Sequence, residues 1–419
     1  MNNQISTLNE TFIKQNNRLD ALLALRGLAC LIVVISHCNP QRNSIIYKNY
    51  DLSWITFSYG GLAVWIFFVL SGYLMGKAFY TQRYTSDIPG VIKFWRNRAL
   101  RIFPLYYFAV LILTLFVYPD WLKIENWGYL FRVCTFTYQH SLQIEPRLNF
   151  NAVFWSLSTE VQFYLVVPFI YNFFKSRLVK SNQAFISGVF ILIIIFIIRL
   201  IFWILFRNEI SENISYVIKY SYTPLITNLD FFICGFLVNI LFKYKPLRQR
   251  YFYHNLTIKN LHKKYLAVIL LILLYLFTAH HFYHQELLNL PERNGKGVMT
   301  ATSFFMMQPV TAIITSFFIL TFESDIYDLH NNEKLSFGSI LKNPIRILEV
   351  FGTLSYGVYI WHFSIIEKIT PIFTSSIPIE AFYKRVIATI ILSTVLATVT
   401  YYLVELPFAR WKTFPHIEK

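Results

Sequence analysis

The chain has 419 residues, of which 55% are hydrophobic and 19% aromatic, and one soluble core of that length has no room for so much apolar side chain. Membrane burial is the simplest account. The formal charge of +16 would suit a nucleic-acid binder in a soluble protein, but the lysines and arginines cluster between apolar runs instead of forming one patch, which is the pattern of a membrane topology signal. No nucleic acid partner is expected.

Met1 to Asn17 is polar, with Lys14 as its one basic residue, so it does not start as a secretory signal does, and the apolar run behind it is expected to be retained. A hydrocarbon core of roughly 30 Å takes about 20 residues of helix. Segments of that kind fall near 19–38, 57–80, 102–118, 152–174, 184–206, 224–242, 265–284, 301–322, 347–370 and 383–405. The expected fold is an all-α integral membrane bundle of about ten transmembrane helices. Residues 1–18 form an N-terminal tail, 19–405 the membrane domain and 406–419 a C-terminal tail. With the N-terminus inside, the inner segments carry 24 lysines and arginines and the outer ones 12, Arg385 among them. That bias puts both termini in the cytoplasm and the chain in a cell inner membrane. The longest loops, about 119–151 and 243–264, are too short for a catalytic module, and no repeat is visible. The chemistry therefore belongs to the bundle.

In the first span, Arg26 and His37 are eleven positions apart; at about 100° per residue they share a helix face, separated by roughly 16 Å along the axis. Charged groups at membrane depth face a cavity or a partner. By the charge count Arg26 lies toward the cytoplasm and His37 near the outer end, which suits an anionic donor bound inside and a reaction outside; the plainer reading of His37 is an interfacial histidine. The run GGLAVWIFFVLSGYLMGK supplies Ser71 and Gly72, small residues that allow close helix approach or ligand contact, packing being the simpler role. KFWRNRALRIFPLYYF sets Arg98 and Arg101 at i, i+3, a guanidinium fork for phosphate or ordinary interfacial anchoring. Trp121, Trp127, Tyr129 and Tyr138 could stack on sugars or form an aromatic belt. Glu160, in NFNAVFWSLSTEVQFYLVVP, enters from the same side as His37 and could orient its imidazole or an acceptor hydroxyl; alternatively it is a first-turn acid placed by the helix dipole. Arg199 is deep in its span, and Asp230, Glu349 and His362 are further cavity candidates. His280, His281 and His284 read as interfacial, since no H-E-x-x-H acid accompanies the i, i+4 pair. Cys30, Cys38, Cys134 and Cys234 have neither Cys-x-x-Cys nor metal-ligand spacing, so free thiols and no metal are expected.

Six ordered motifs give the chain a resemblance to a known family: Arg26-x10-His37, VWIFFVLSGYL at 64–74, Arg98-x-x-Arg101-x-x-Pro104, WSLSTEVQFY at 155–164, GTLSYGVYIWH at 352–362 and VELPFARW at 404–411. Over nearly its whole length it resembles the acyltransferase-3 family of membrane acyltransferases, which includes O-antigen and other polysaccharide O-acetyltransferases. The resemblance implies an acyl-CoA donor, usually acetyl-CoA, bound from the cytoplasm, and an acyl group delivered to a sugar or polysaccharide hydroxyl at the outer face. It implies His37 as the catalytic residue and Arg26, Arg98 and Arg101 at the donor; beside these, Glu160 is expected to orient His37 or the acceptor, and Ser71, Gly72 and Tyr73 are expected at the donor. Ser355, Tyr356 and His362 of the GTLSYGVYIWH motif are further candidates. His37 could act as general base or carry the acyl group, and the residues leave both routes open. No extracytoplasmic esterase-like domain of the kind that some larger members carry after the bundle is expected, so that whatever positions the acceptor belongs to the bundle or its loops. Two other readings compete: a transporter or flippase of lipid-linked sugars, which the buried Arg199 suits though no inverted repeat is visible, and a sensor that binds acyl-CoA or glycan without chemistry.

Overall fold

Long runs of Leu, Ile, Val and Phe in a medium without water leave the helix as the structure that satisfies its own backbone, and helices dominate the computed structural model of the chain. The structure describes residues 19–38, 42–138, 150–177, 181–212, 222–243, 257–284, 303–323 and 335–411. The N-terminal tail and positions 412–419 of the C-terminal tail lie outside the described residues, as does most of the basic 243–264 loop. In order come α1 (Ala21–His37), α2 (Gly60–Tyr80), α3 (Ile88–Phe116), the short α4 (Trp127–Cys134), α5 (Phe154–Arg177), α6 (Ser181–Glu212), α7 (Leu225–Lys243), α8 (Thr257–Tyr283), α9 (Gln308–Glu323), α10 (Phe337–Lys342), α11 (Ile347–Ile369), α12 (Pro378–Thr400) and α13 (Leu406–Ala409). Among the described residues the one sheet is a hairpin of two-residue strands, β1 (Ile46–Tyr47) and β2 (Tyr50–Asp51).

Each of the ten sequence-predicted segments coincides with a helix. Six helical segments are long and apolar enough to cross a membrane by themselves: Ser53–Tyr80, Ile88–Phe116, Phe185–Phe206, Leu261–Tyr283, Phe305–Glu323 and Pro378–Ala409. α1 and α7 contain shorter apolar helices. α5 and α11 fall in neither group, and they are the helices that carry Glu160, Glu349 and His362. The protein is an all-α membrane protein whose outward faces on α6, α8 and α12 expose Phe190, Ile193, Ile197, Ile269, Ile272, Ile387 and Ile391, as lipid contact requires.

Two boundaries differ from the sequence reading. α3 starts at Ile88, fourteen residues before the expected 102, because a helix continues through the basic stretch that carries Arg98 and Arg101. α12 starts at Pro378, with Pro in its first turn, so Arg385, counted with the outer segments, is buried two turns inside a helix.

Small residues decide which helices lie closest. A Cβ on Gly27 would collide with the Leu348 carbonyl oxygen, and one on Gly352 with the Leu23 carbonyl oxygen, so α1 and α11 interlock backbone to backbone. α2 and α7 interlock in the same way through Gly72 against Phe232 and Gly235 against Val69. Around α2 the core is aromatic: Trp65 stacks on Phe231, Phe68 on Phe232, and Phe232 on Phe163 of α5. These contacts fix the helices that bear the polar residues.

Candidate active site

The site begins where α1 begins. Asp20 caps α1 by accepting from the Leu23 amide at 3.0 Å, while its own amide donates to Glu349 Oε1 at 2.8 Å. Glu349 in turn pairs with the buried Arg346, so the starts of α1 and α11 are tied together. One turn on, Arg26 Nε donates to Ser355 Oγ at 2.8 Å, and the Ser355 hydroxyl donates to the Gly352 carbonyl oxygen at 2.8 Å. Arg26 is therefore held by a neutral group and keeps its charge uncompensated by any carboxylate ion pair among the described residues.

Across from this wall, α3 presents the guanidinium fork. Arg101 Nη1 pairs with Glu405 Oε2 at 2.9 Å. Glu405 reaches inward because residues Tyr401–Glu405 form a π-helical turn, which rotates the chain relative to a regular helix. Arg98 lies over the Phe94 ring at 5.8 Å, and its Nε is buried with no hydrogen-bond partner. An orphaned buried guanidinium nitrogen is costly without a ligand. The third wall joins α2 to α5: Ser71 Oγ donates to Glu160 Oε1 at 3.0 Å, and the Tyr164 hydroxyl donates to the same oxygen. Lys77 of α2 and the buried Glu323 of α9 form an ion pair at the rim.

Together these walls enclose a cavity of about 340 Å³ lined by Arg26, Ser71, Lys77, Arg98, Arg101, Glu160, Tyr164, Glu323, Ser355 and Tyr356 among others. Its far end is closed by Tyr359 and Ser156, whose hydroxyls are 2.6 Å apart.

One helical turn beyond Tyr359 is a second cluster. His37, half-buried at the end of α1, has its Nδ1 2.8 Å from Nε2 of the fully buried His362. Their ring planes differ by 9° with centroids 5.1 Å apart. With so short an N···N distance, that spacing sets the rings edge to edge in nearly one plane instead of face to face. The Tyr359 ring lies 5.6 Å from His362, and Phe363 meets His37 edge-on at 5.3 Å.

The structure thus brings Arg26, Arg98, Arg101, Ser71, Glu160, Ser355 and Tyr356 into one cavity and sets His37 with His362 just past its end. Glu160 sits with the arginines, not with His37, because its face of α5 is turned to α2; the group that contacts His37 is an imidazole of α11. Gly72 and Tyr73 do not line the cavity. Gly72 packs on Phe232, and the Tyr73 carbonyl accepts from Asn239 of α7. Arg199 lies apart as well: it pairs with Asp230 at 2.7 Å, donates from Nε to the Thr227 carbonyl at 2.9 Å and covers the Phe231 ring, so it is neutralised between α6 and α7. Trp121 and Tyr138 are buried against Phe150, whereas Trp127 is exposed. His280 leans edge-on against Trp54 with His284 beside it. Lys77, Glu323, Tyr164, Glu405, Tyr359 and Ser156 were not among the expected site residues. Tyr164, at i+4 from Glu160, and Tyr359, at i+4 from Ser355, had a readable periodic signal.

Residues 19–405 match a family described as an acyltransferase domain. The chain is 24% identical over 422 residues to the O-acetyltransferase OatA of Staphylococcus aureus, covering 96% of this chain and 59% of that protein. It is 25% identical over 368 residues to the peptidoglycan O-acetyltransferase OatA of Listeria monocytogenes, 83% of this chain and 49% of that protein. A shorter similarity, 27% over 192 residues, links it to the acyltransferase MdmB of Streptomyces mycarofaciens, 41% of this chain and 44% of that protein. The chain therefore spans about half the length of these relatives. No solved structure matches it.

Proposed function

Since the chain belongs to the acyltransferase-3 family, we propose that it is a membrane O-acetyltransferase that moves an acetyl group from cytoplasmic acetyl-CoA to a hydroxyl of an extracytoplasmic sugar or polysaccharide. The observation that carries the reading is the joining of two environments by one helix pair. At one end is a cavity with arginines that lack carboxylate partners among the described residues; at the other is a histidine pair. The names of the relatives, one of them a peptidoglycan O-acetyltransferase, favour a cell-envelope glycan as acceptor.

The topology we propose has ten crossings with both termini in the cytoplasm. The excess of basic residues on the inner segments supports it. So does parity: α1 and α11 run parallel, as Arg26 with Ser355 and His37 with His362 show, and seven predicted spans between them return the chain to the same direction. The cavity then opens toward the cytoplasm and His37 faces the outer side.

In this reading Arg26 and Arg98 hold the donor's phosphates, with Arg101 braced by Glu405 and Lys77 paired with Glu323 beside them, and the slender acyl-bearing arm passes Ser355 toward Tyr359. The Tyr359 and Ser156 hydroxyls stand between the arm and His37 and must part for the acyl group to arrive. His37 takes the proton of the acceptor hydroxyl as its oxygen bonds to the acyl carbon; the carbon–sulfur bond breaks, and the departing thiolate takes that proton back from His37. A positioned base of this kind contributes typically ~10²–10⁴-fold. Transport without chemistry loses its motivating residue, because Arg199 is satisfied by Asp230.

The test is label transfer from acetyl-CoA to extracted host polysaccharide in membranes carrying the wild type or His37→Ala at matched expression. Incorporation by the wild type that is lost in the variant supports the reading. Equal incorporation removes His37 from the chemistry, and translocation of glycan without thiol release would replace the enzyme by a transporter.

A further inference from the structure

A base that accepts a proton from an acceptor hydroxyl needs its lone pair on the nitrogen that faces the acceptor, and a neutral imidazole has its one proton on either nitrogen. Something must choose. We propose that His362 is the positioning residue that makes this choice: it accepts the Nδ1 proton of His37 and so keeps the lone pair of His37 on Nε2. The inference rests on the acyl-transfer reading for its consequence, but its geometry is independent of it.

The assignment follows from the acceptors. His362 Nδ1 is 2.7 Å from the Tyr359 carbonyl oxygen and 3.2 Å from that of Val358. Carbonyl oxygens only accept, so Nδ1 carries the proton. His362 is fully buried, at 0% exposure, and no ion-pair partner stands beside it among the described residues, so the uncharged ring is the affordable form. Its Nε2 is then a lone pair. That lone pair lies 2.8 Å from His37 Nδ1, and two lone pairs cannot face each other at that distance. His37 Nδ1 must therefore be the donor, which leaves Nε2 of His37 as the basic nitrogen.

The ring planes support the direction of this chain. An imidazole N–H and lone pair both point in the ring plane, and the 9° angle with edge-to-edge centroids aligns the two. The Phe363 ring, at 86° to His37, restricts rotation out of that plane. The anchor of the chain is a main-chain carbonyl of α11, fixed by the helix itself. The interlock of Gly27 and Gly352 and the Arg26–Ser355 bond hold α1 at constant register on α11, so the same helix pair spaces the cavity arginine and orients the base. Unlike a carboxylate, the orienting group here is neutral: it selects the tautomer without adding negative charge to the membrane interior.

Two measurements on the full-length protein in lipid bilayers decide this. The first is the ¹⁵N solid-state NMR spectrum of histidine-labelled protein, with His37 identified by difference from His37→Ala. A protonated Nδ1 and a bare Nε2 on His37 are expected, and in His362→Phe the proton should move to Nε2. A wild-type His37 protonated on Nε2 overturns the proposal. The second is a kinetic split. His362→Phe should lower kcat by ~100-fold or more, a general base's usual share, with the donor KM within about twofold of wild type because the arginine cavity is untouched. His362→Gln, whose amide oxygen can accept from His37 Nδ1, should recover much of that loss. Glutamine no better than phenylalanine, or an unchanged kcat in both, overturns the positioning role. Should the wild type transfer no acetyl group at all, the proposed function fails, yet the NMR spectrum still decides the tautomer.

Discussion

Replacing Arg98 by glutamine removes a guanidinium whose Nε is buried without a partner and which forms no ion pair among the described residues. In the ligand-free protein almost nothing is lost, because no bond is broken; a small gain in thermal stability is expected from deleting an unsatisfied charge. With donor bound, a charge-assisted hydrogen bond worth about 1.5–3 kcal/mol disappears, which corresponds to a donor KM raised by roughly 10- to 150-fold at ~1.4 kcal/mol per decade. Arg101→Gln provides the contrast. It removes the ion pair that Arg101 makes with the buried Glu405, at a cost of about 1–3 kcal/mol, so stability and donor affinity should fall together. Adding Glu405→Gln to Arg101→Gln should restore the stability and leave the affinity impaired. The assays are steady-state acetyl transfer against donor concentration and thermal unfolding in detergent. Arg98→Gln with an unchanged donor KM, or with a drop in stability as large as that of Arg101→Gln, would refute the view that Arg98 waits for an anionic ligand.

Tyr359→Phe and Ser156→Ala each remove one member of the hydroxyl pair at the end of the cavity; if that pair acts as one barrier, each single variant and the double variant should change kcat by the same factor, and additive effects would show that it does not. Arg199→Ala should destabilise by roughly 3–5 kcal/mol because Asp230 is left as a buried unpaired charge, whereas Arg199→Met with Asp230→Leu should unfold near the wild-type temperature and retain transfer activity. For topology, single cysteines replacing Arg83 or Tyr47 on a background without native cysteines should react differently with an impermeant maleimide in intact cells: Tyr47→Cys labelled, Arg83→Cys labelled only after permeabilisation. The opposite pattern inverts the proposed orientation.

Each of the ten apolar segments read from the sequence falls on a helix because the length of an apolar run is a local property, and the 3.6-residue period set Arg26 and His37 on one face of α1, where they meet Ser355 and His362 of α11. What it could not supply was anything that depends on a second helix. Glu160 was paired with His37 because both lie toward the same side in sequence, but the rotation of α5 about its axis is set by aromatic packing of Phe163 on Phe232, which no single-helix pattern encodes. Glu405, quoted in the VELPFARW motif, could not be assigned to Arg101 for a different reason: a π turn breaks the period on which face assignments rest. Arg385, inside the expected 383–405 span, was counted with the outer basic residues because it stood near that span's start; the helix begins five residues earlier, at Pro378, since proline is at home in the first turn of a helix. His362 was noticed as a cavity candidate and as the end of the GTLSYGVYIWH motif, with no partner named for it. Its significance lies in a side-chain contact that spans 325 positions of sequence.

The ionisable groups inside the bundle sort into two kinds, and the division itself points to the ligand. Arg199 with Asp230, Arg346 with Glu349, Arg101 with Glu405 and Lys77 with Glu323 are each neutralised in place, and all but the local Arg346–Glu349 pair join segments distant in sequence. Arg26 and Arg98 form no such ion pair among the described residues, although carboxylates are available in the same cavity. Uncompensated cations at membrane depth are costly, so a bundle that retains them gains the difference only when an anion enters. Arg26 lies roughly 16 Å along α1 from His37, too far for a compact anion to touch both. The ligand that reconciles the two is anionic at one end, slender along its length and reactive at the other, and shortening the link between those ends should abolish transfer while leaving binding to the arginines intact.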